Sequence, residues 1–425
     1  TIAGGTTNYS AAPAVTITGG GGSGATATAV LTSGVVSGIT ITNAGTGYAT
    51  APTIAFGGGT VTTAGTNPTG TGNATNFIVA GIQVTNPGSG YTSVPAVSFS
   101  SGAGTAATAN LSAVGLGAAT SVGGSGNITI QPGITGNFAL TKIGSGTLTL
   151  NGTSTYSGAT TVSEGRLALG GSLTGTVTVT SGTLAPGGTP VAAGNLAINS
   201  GGIFQVRIDG PAAGVQYDQL AVGGTVTLAG ALDILAAPGL AAGTTFTILN
   251  KTGTGAISGT FAGKANGSGF VAGGYTWIIS YTGGNGNDVT LTIATALQSW
   301  RLASFGTVTN VGAAADTSDA NRDGEINLME FATGQDPNTG TTAVPTFVRN
   351  GANLEFTYTR SLAALADGVT FTVEWSDTLA TNSWSTAGVT QAILTDNGTV
   401  QTVKASIPTG NGILARYARL KVASP

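Results

Sequence analysis

Residues 140–152 read LTKIGSGTLTLNG, and they are followed by YSGATTV at residues 156–162 and GRLAL at residues 165–169. Apolar and polar residues alternate within each run, which predicts short β-strands that bury one face. Glycine-containing segments separate the runs, and glycine allows the chain to turn tightly after each strand. The same pattern continues over residues 126–295, so this region is predicted to be repetitive, tightly turned β-structure.

These runs resemble the autotransporter-associated β-strand repeat of bacterial surface proteins, whose typical form is a lysine, a GxGTLTL run, a TYSGATTV run and a G-x-L strand. The similarity extends to about residue 188. Residues 202–293 resemble the end of an autotransporter passenger through VQYDQL at 215–220, TFTIL at 245–249 and YTGGNGNDV at 281–289. The resemblance implies a right-handed parallel β-helix and a secreted protein at a bacterial surface. No membrane-barrel translocator follows in the sequence, so self-secretion by that route is not expected.

The segment before these runs, residues 1–141, contains no Asp, Glu, Lys, Arg or His. It carries an internal repeat in which Tyr9, Tyr48 and Tyr91 each precede a proline by four residues. Pro13, Pro52 and Pro95 each open an alternating strand, at residues 14–18, 53–56 and 96–99. Repeats of this period predict stacked units that share one core. We therefore expect residues 1–125 to form an uncharged Tyr-Pro β-repeat region.

The scarcity of charge predicts self-association. Only 7% of the chain is charged, whereas about a quarter to a third of an ordinary soluble surface is charged. Mean hydropathy is +0.29 with regular β-alternation, which argues against disorder. Strand edges that are usually protected by charge are left open here, so copies of the chain are expected to pair with each other.

The sharpest motif is DANRDGEINLME at residues 319–330. It fits the calcium-loop pattern D-x-[DN]-x-[DN]-G-x5-E at every specified position. Ca²⁺ requires six to eight oxygen ligands, and this spacing supplies them. The expected ligands are the side chains of Asp319, Asn321 and Asp323, the carbonyl oxygen of Glu325, Asn327 directly or through water, and two oxygens of Glu330, with Asp316 as a further outer oxygen.

Helical signals surround this loop. Residues 296–305, ALQSWRLASF, predict a helix that Gly306 ends, and residues 326–333 predict an exiting helix that Gly334 ends. The entering half, residues 312–318, is too short for a full EF-hand helix, so the loop resembles a dockerin-type calcium loop. The alternative is a solvated acidic turn. Six of the sixteen acidic residues lie between Asp316 and Asp336, which favours a structural calcium ion.

The last region alternates at residues 354–360, 369–377, 400–405 and 416–422. Such strands predict a small antiparallel β-sandwich. With the preceding helix and calcium loop, this region resembles the C-terminal module of large secreted proteins from Verrucomicrobia-like bacteria. Trp375 and Trp384 could stack on sugar rings, but core packing is the favoured interpretation.

Composition excludes several function classes. The chain has no cysteine and no histidine, which removes disulfides, thiolate chemistry and Ser-His-Asp catalysis. The net charge is −3 and basic residues are sparse, so no nucleic-acid partner is expected. No apolar run is long enough for a membrane span. Asp209 and Asp218, near Arg207, form the most plausible pair for a polysaccharide-active enzyme, but the chain is not expected to be an enzyme.

These signals predict an all-β chain of four regions. They are the Tyr-Pro β-repeat region (1–125), an autotransporter-like β-helix or solenoid (126–295), a helical linker with an EF-hand-like calcium loop (296–340) and a C-terminal β-sandwich (341–425). The expected function is a structural subunit of an extracellular bacterial filament, assembled head to tail from copies of itself through strand and solenoid ends. The alternatives are a monomeric adhesin or surface-layer component that contacts glycans or the cell surface, and a β-helix enzyme.

Overall fold

A computed structural model of the chain describes residues 2–3, 5–48, 50–65, 68–71, 113–187, 191–409 and 415–425. The chain divides into two compact units, Thr1–Leu111 and Ser112–Pro425. The described residues of both units are mostly β-strand with few helices. The all-β class predicted from the alternating pattern is therefore confirmed.

In the first unit, the strand pairs among the described residues are antiparallel. One sheet has the order β1-β8-β6-β3-β4-β5, and β2 pairs with β7. The strands are β1 (Ile2–Ala3), β2 (Asn8–Ala11), β3 (Ala14–Thr18), β4 (Ser23–Thr32), β5 (Val35–Thr46), β6 (Thr53–Gly57), β7 (Thr60–Thr63) and β8 (Thr69–Thr71). A small core forms around Tyr9, Val36, Ile54 and Phe56.

The strands that follow Pro13 and Pro52 lie where the sequence predicted them, and they are neighbours in one sheet. Strand β3 pairs antiparallel with β6, with Ala14 opposite Gly57 and Thr18 opposite Thr53. Because residue 14 of the first repeat corresponds to residue 53 of the second, the two copies pair about a local twofold axis. Tyr91, Pro95 and the strand expected at residues 96–99 lie outside the described residues.

The second unit begins with a stack of parallel strands, β9 to β26. We call this stack the coil. Its described strands belong to four sheets. The strands are β9 (Ala113–Leu116), β10 (Thr120–Gly123), β11 (Ile128–Ile130), β12 (Gly133–Gly136), β13 (Leu140–Ile143), β14 (Thr147–Leu150), β15 (Thr160–Val162), β16 (Arg166–Leu169), β17 (Val177–Val179), β18 (Thr183–Pro186), β19 (Val191–Ala193), β20 (Leu196–Ile198), β21 (Ile203–Ile208), β22 (Leu220–Val222), β23 (Val226–Leu228), β24 (Ala231–Ala236), β25 (Thr245–Lys251) and β26 (Ser258–Gly259).

The coil is held in register by backbone pairing and by stacked side chains. One sheet runs β10-β13-β15-β17-β20-β23-β26 and a second runs β11-β14-β16-β18-β21-β24, both parallel. Strand β12 pairs in parallel with β9 in a two-stranded sheet, and β22 pairs in parallel with both β19 and β25 in a further sheet. Near the start, successive turns are 20 residues apart: Asn127 accepts a bond from the N–H of Thr147, and Gln131 accepts one from the Asn151 amide. Strands β9 and β10 lie before residue 126, where the sequence placed a boundary.

Apolar side chains stack inside the coil because parallel pairing repeats the same inward position in each turn. Leu148 lies opposite Leu167, Leu167 opposite Leu184, Leu184 opposite Phe204, and Phe204 opposite Leu232. The first four of these side chains are fully buried. Glycine is required where adjacent turns nearly touch: a Cβ on Gly133 would lie 1.9 Å from the carbonyl oxygen of Thr153.

Antiparallel strands cover the far end of the coil. Strand β25 pairs antiparallel with β29 (Asp288–Ile293), which pairs with β28 (Tyr275–Gly283), which in turn pairs with β27 (Gly269–Ala272). Trp277 and Phe246 pack edge to face within this part of the core. The parallel pattern therefore ends at β25 and β26.

A helical segment connects the coil to the last strands. It contains α1 (Ala296–Phe305), a 3₁₀ turn (Gly312–Ala314) and α2 (Asn327–Thr333). Thr295 caps α1 with a capping box, and Gly306 and Gly334 end α1 and α2 in left-handed conformations. Both helices thus lie where the sequence predicted them.

The C-terminal strands form two antiparallel sheets. A four-stranded sheet has the order β30-β31-β34-β33, and β32 pairs with β35. The elements are β30 (Thr346–Asn350), β31 (Asn353–Ser361), α3 (Leu362–Ala366), β32 (Thr370–Ser376), β33 (Thr390–Asp396), β34 (Val400–Pro408) and β35 (Tyr417–Ala423). Phe356, Tyr358, Val373 and Val403 share one apolar cluster, so side chains of both sheets form a common core.

Candidate functional site

The predicted calcium loop lies between the 3₁₀ turn and α2, and its own acidic side chains shape it. Asp319 accepts hydrogen bonds from the N–H groups of Arg322 and Gly324, at 2.7 and 3.0 Å. Asp323 accepts one from the N–H of Glu325 at 2.9 Å. Gly324 has a φ of 95°, a conformation that favours glycine. These contacts fix the turn of the loop between Asp319 and Glu325.

Glu330 is fully buried, although it is an acid on the first turn of α2. Its Oε1 accepts a hydrogen bond from the Asn321 amide at 2.8 Å, and its Oε2 has no hydrogen-bond partner. Burial, and then the nearby negative charges of Asp323, Asp319 and Glu325, raise the pKa of Glu330 to about 7. A buried carboxylate among other carboxylates is costly unless a cation accompanies it.

Two asparagines complete the predicted ligand set. Asn327 is fully buried; its amide nitrogen donates to the carbonyls of Ala313 and Ala315, and its Oδ1 has no partner. The amide nitrogen of Asn321 donates to Asp323 at 3.0 Å as well as to Glu330. The loop therefore holds two unpartnered buried oxygens, the kind of atom that Ca²⁺ prefers.

Within the described residues, no group of three or more Asp, Glu, His or Cys side chains is close enough to form a metal cluster by itself. The predicted set also depends on Asn321, Asn327 and the carbonyl oxygen of Glu325. The two unpartnered oxygens and the raised pKa of Glu330 fit a bound divalent cation. Calcium at this position remains a proposal.

Two further acids of this region have other roles. The carboxylate of Asp316 forms an ion pair with the buried Arg301 and accepts from the Asn310 amide at 3.0 Å. These contacts occupy the group that the sequence offered as an outer calcium oxygen. Sequence reasoning missed the side chain of Glu325, which accepts from Gln335 and, at 3.1 Å, from the N–H of Ala343. Glu325 thus ties the loop to the segment that leads into β30.

The raised pKa of Glu330 predicts how stability depends on pH without a metal ion. Its ordinary value is 4.5, so the folded state binds the proton more tightly than the unfolded state. The resulting stability is present below about pH 4.5 and is lost as pH rises through about 7. In EDTA, we expect urea unfolding to give a lower free energy at pH 8 than at pH 5, and Glu330→Gln to flatten this difference. An equal slope in both proteins would contradict the assignment.

Both acids of the candidate catalytic pair in the coil contact one arginine. Arg207 forms an ion pair with Asp209 and a longer one with Asp218, at 3.5 Å. Asp218 is buried and also accepts from the N–H of Arg207 at 2.9 Å; burial raises its pKa, and Arg207 opposes that rise. The structure does bring these residues together, in an arrangement suited to fastening the loop after β21.

A buried lysine lies within the repeat itself. Lys142 is 1% exposed, and its ammonium group donates to the carbonyls of Ile143, Gly144 and Glu164 at 2.7–3.1 Å. Burial lowers the pKa of Lys142, while Glu164 opposes this effect. This lysine satisfies carbonyls of two adjacent turns. Lys142 occupies an inward-facing position of β13, where its neighbours are apolar. This position in the alternating pattern is the sequence signal that could have predicted its burial.

The two candidate tryptophans are covered by arginines. The Arg416 guanidinium lies 3.8 Å from the centre of the Trp375 ring, and that of Arg419 lies 4.0 Å from the Trp384 ring. Arg416 also pairs with Asp377. These cation–π contacts occupy ring faces that sugar stacking would require.

The fold and these sites define a mostly β protein with a coil of parallel strands and an acidic loop that contains a buried glutamate. Residues 140–169, which comprise β13 to β16, match the family model of the passenger-associated-transport-repeat (PATR). The resemblance of this segment to an autotransporter passenger repeat is therefore confirmed. No curated protein matches the chain. In the part of the chain that the structure describes, no helix has the length and apolar character needed to cross a membrane.

Proposed function

We propose that this chain is a structural protein of a bacterial cell surface, secreted and without catalytic activity, that assembles into an extracellular filament. The observation that carries the proposal is the passenger-type repeat within a coil of stacked parallel strands. We interpret the coil as a β-helix. Such stacks are elongated and rigid because each turn packs on the next, which suits a stalk or fibre.

The surface chemistry supports self-association of the first unit. On β3 and β4, Thr16 and Thr28 are exposed on a face without charge, and Ile41 on the edge strand β5 is 51% exposed. Among the described residues, β5 pairs with β4 alone in its sheet. An uncharged edge of this kind can pair with a strand of another copy through main-chain hydrogen bonds.

Calcium would have a structural role in this protein. Asp319, Asn321, Asp323, Glu330 and the carbonyl of Glu325 would hold the ion, with Asn327 direct or through water. The ion would neutralise the buried Glu330 and fix the loop between α1 and the C-terminal sheets. We regard this loop as dockerin-like and the C-terminal sheets as a β-sandwich of the Verrucomicrobia type.

One observation favours the alternative of a monomeric adhesin. The far end of the coil is covered by the antiparallel strands β27 to β29, so coils cannot stack end to end through that end. Filament growth would then depend on the first unit. A lone stalk that binds glycans or a cell surface needs no such contact.

The experiment is electron microscopy and sedimentation of the secreted chain in calcium, at increasing concentration. We expect filaments, and we expect Thr16→Lys with Thr28→Lys to suppress them because added like charges repel. Thr395→Lys, on an exposed strand of the C-terminal sheets, is the matched control and should leave assembly unchanged. Dispersed particles at every concentration would refute the filament, and glycan binding by those particles would support the adhesin.

A further inference from the structure

A second buried lysine lies where the coil meets its antiparallel cover. Lys251 ends β25 and is 1% exposed. Strand β29 lies beside it, with Leu249 opposite Val289. Asn287 directly precedes β29, which begins at Asp288. The side chain of Asp288 accepts a hydrogen bond from the main-chain N–H of Lys251, which brings this end of β29 against the end of β25.

The hydrogen bonds bring the amine and the amide to the same atom. The Lys251 ammonium group and the Asn287 amide nitrogen each donate to the carbonyl oxygen of Gly253, both at 2.9 Å. The Asn287 Oδ1 is buried and has no hydrogen-bond partner. A buried amide oxygen without a donor is unusual in folded proteins. The amine and the side-chain amide therefore meet at one carbonyl oxygen, and the Oδ1 of that amide is buried.

An acid completes the cluster. Asp288 is 6% exposed, and its Oδ1 accepts from the main-chain N–H of Lys251 at 2.8 Å. None of the ion pairs among the described residues includes Lys251 or Asp288. A buried ammonium group without a paired carboxylate is costly. Conversion of this group to a neutral amide would remove that cost.

Lys142 offers a comparison within the same chain. It is equally buried and also donates to main-chain carbonyls, but its hydrogen bonds to Ile143, Gly144 and Glu164 are not shared with a side-chain amide. Carbonyl binding alone thus accounts for Lys142. At Lys251, the adjacent amide and its unpartnered oxygen are additional features.

We propose that Lys251 and Asn287 form an intramolecular isopeptide bond. The Lys251 ammonium group first loses one proton, and the neutral Nζ attacks the Asn287 Cγ; a C–N bond forms, and the bond from Cγ to the amide nitrogen breaks. The departing nitrogen takes a second proton from Nζ and leaves as ammonia, which takes up the first proton, so the reaction needs no oxidant or co-reactant. The bond closes a loop that contains β26, β27 and β28 and fastens the antiparallel cover to the coil, which disfavours the unfolded state.

The test is the intact mass of the full chain purified from culture medium. We expect a mass lower than that of the sequence by one ammonia molecule, and a branched peptide that joins Lys251 to Asn287 after proteolysis. Lys251→Arg keeps the positive charge but cannot form the amide, so it should restore the full mass. Lys142→Arg is the matched control and should keep the deficit.

Two outcomes would overturn the proposal. One is a wild-type chain of full mass whose linear peptides contain Lys251 and Asn287. The other is a deficit that mild base reverses, because a succinimide at Asn285-Gly286 also loses ammonia but is opened by base, whereas an isopeptide bond persists. The readout is covalent and therefore independent of whether filaments form.

Discussion

Glu330→Gln is expected to weaken calcium binding by roughly 100-fold or more, because changes that only surround a metal ligand already cost about 10–100-fold. Glu330 is the acid whose Oε2 is buried without a partner. Glutamine has nearly the same shape but lacks the negative charge, so the loop should remain folded while the ion is lost. Isothermal titration with Ca²⁺ at pH 8, where the wild-type carboxyl is ionised, measures this effect.

Relative to wild type, Glu330→Gln should lower the free energy of unfolding in calcium and raise it when calcium is removed. In calcium at about one hundred times the wild-type Kd, the wild-type protein gains about 2.7 kcal/mol that the variant does not gain. In EDTA at pH 8, the variant should be the more stable protein, since it buries no charge. Asp336→Asn, at an exposed acid outside the loop, is the matched control. Equal calcium affinity in Glu330→Gln and wild type would refute the site.

Leu167→Ala is expected to destabilise the coil by about 2–5 kcal/mol, the usual cost of a large cavity in a core. Leu167 is fully buried between Leu148 and Leu184, its partners in the adjacent turns. Parallel turns cannot shift independently to fill the space, so little relaxation is expected. Urea unfolding at fixed calcium concentration, followed by circular dichroism, measures the change.

Thr149→Ala is the control for this prediction, because Thr149 lies on the outward face of the same sheet. Substitutions at such positions usually change stability by less than about 0.5 kcal/mol. If the two variants lost similar stability, the stacked core that we assign to the repeat would be wrong. A loss of stability confined to Leu167→Ala would show that the stacked inward-facing side chains stabilise the coil.

Local signals were sufficient for the helices and most strands. Thr295 and Gly306 bound α1, and Gly334 ends α2, because caps satisfy the free N–H and C=O groups at helix ends through nearby residues. The alternation in residues 354–360 and 400–405 likewise predicted β31 and β34. Calcium-ligand spacing is equally local, which is why a calcium loop could be predicted before the burial of Glu330 was known.

The sequence did not predict which strands pair with each other or in which direction. The two Tyr-Pro strands were expected to stack as units, but β3 and β6 lie antiparallel to each other. Alternation fixes which side chains share a face and leaves the direction of the neighbouring strand open. No local pattern predicts the antiparallel cover of the coil or the contact of Glu325 with Ala343, because both depend on residues far apart in the chain.

The sequence by itself determined the β class, the passenger-type repeat and an acidic loop with the spacing that calcium requires, since each of these depends on residues close together along the chain. The tertiary structure decided which groups are buried together. It placed Glu330 near three other acids, and it brought Asp209 and Asp218 into contact with Arg207. It also placed Lys251 beside Asn287. Burial and proximity set the charge and reactivity of such groups, and both are properties of the folded chain.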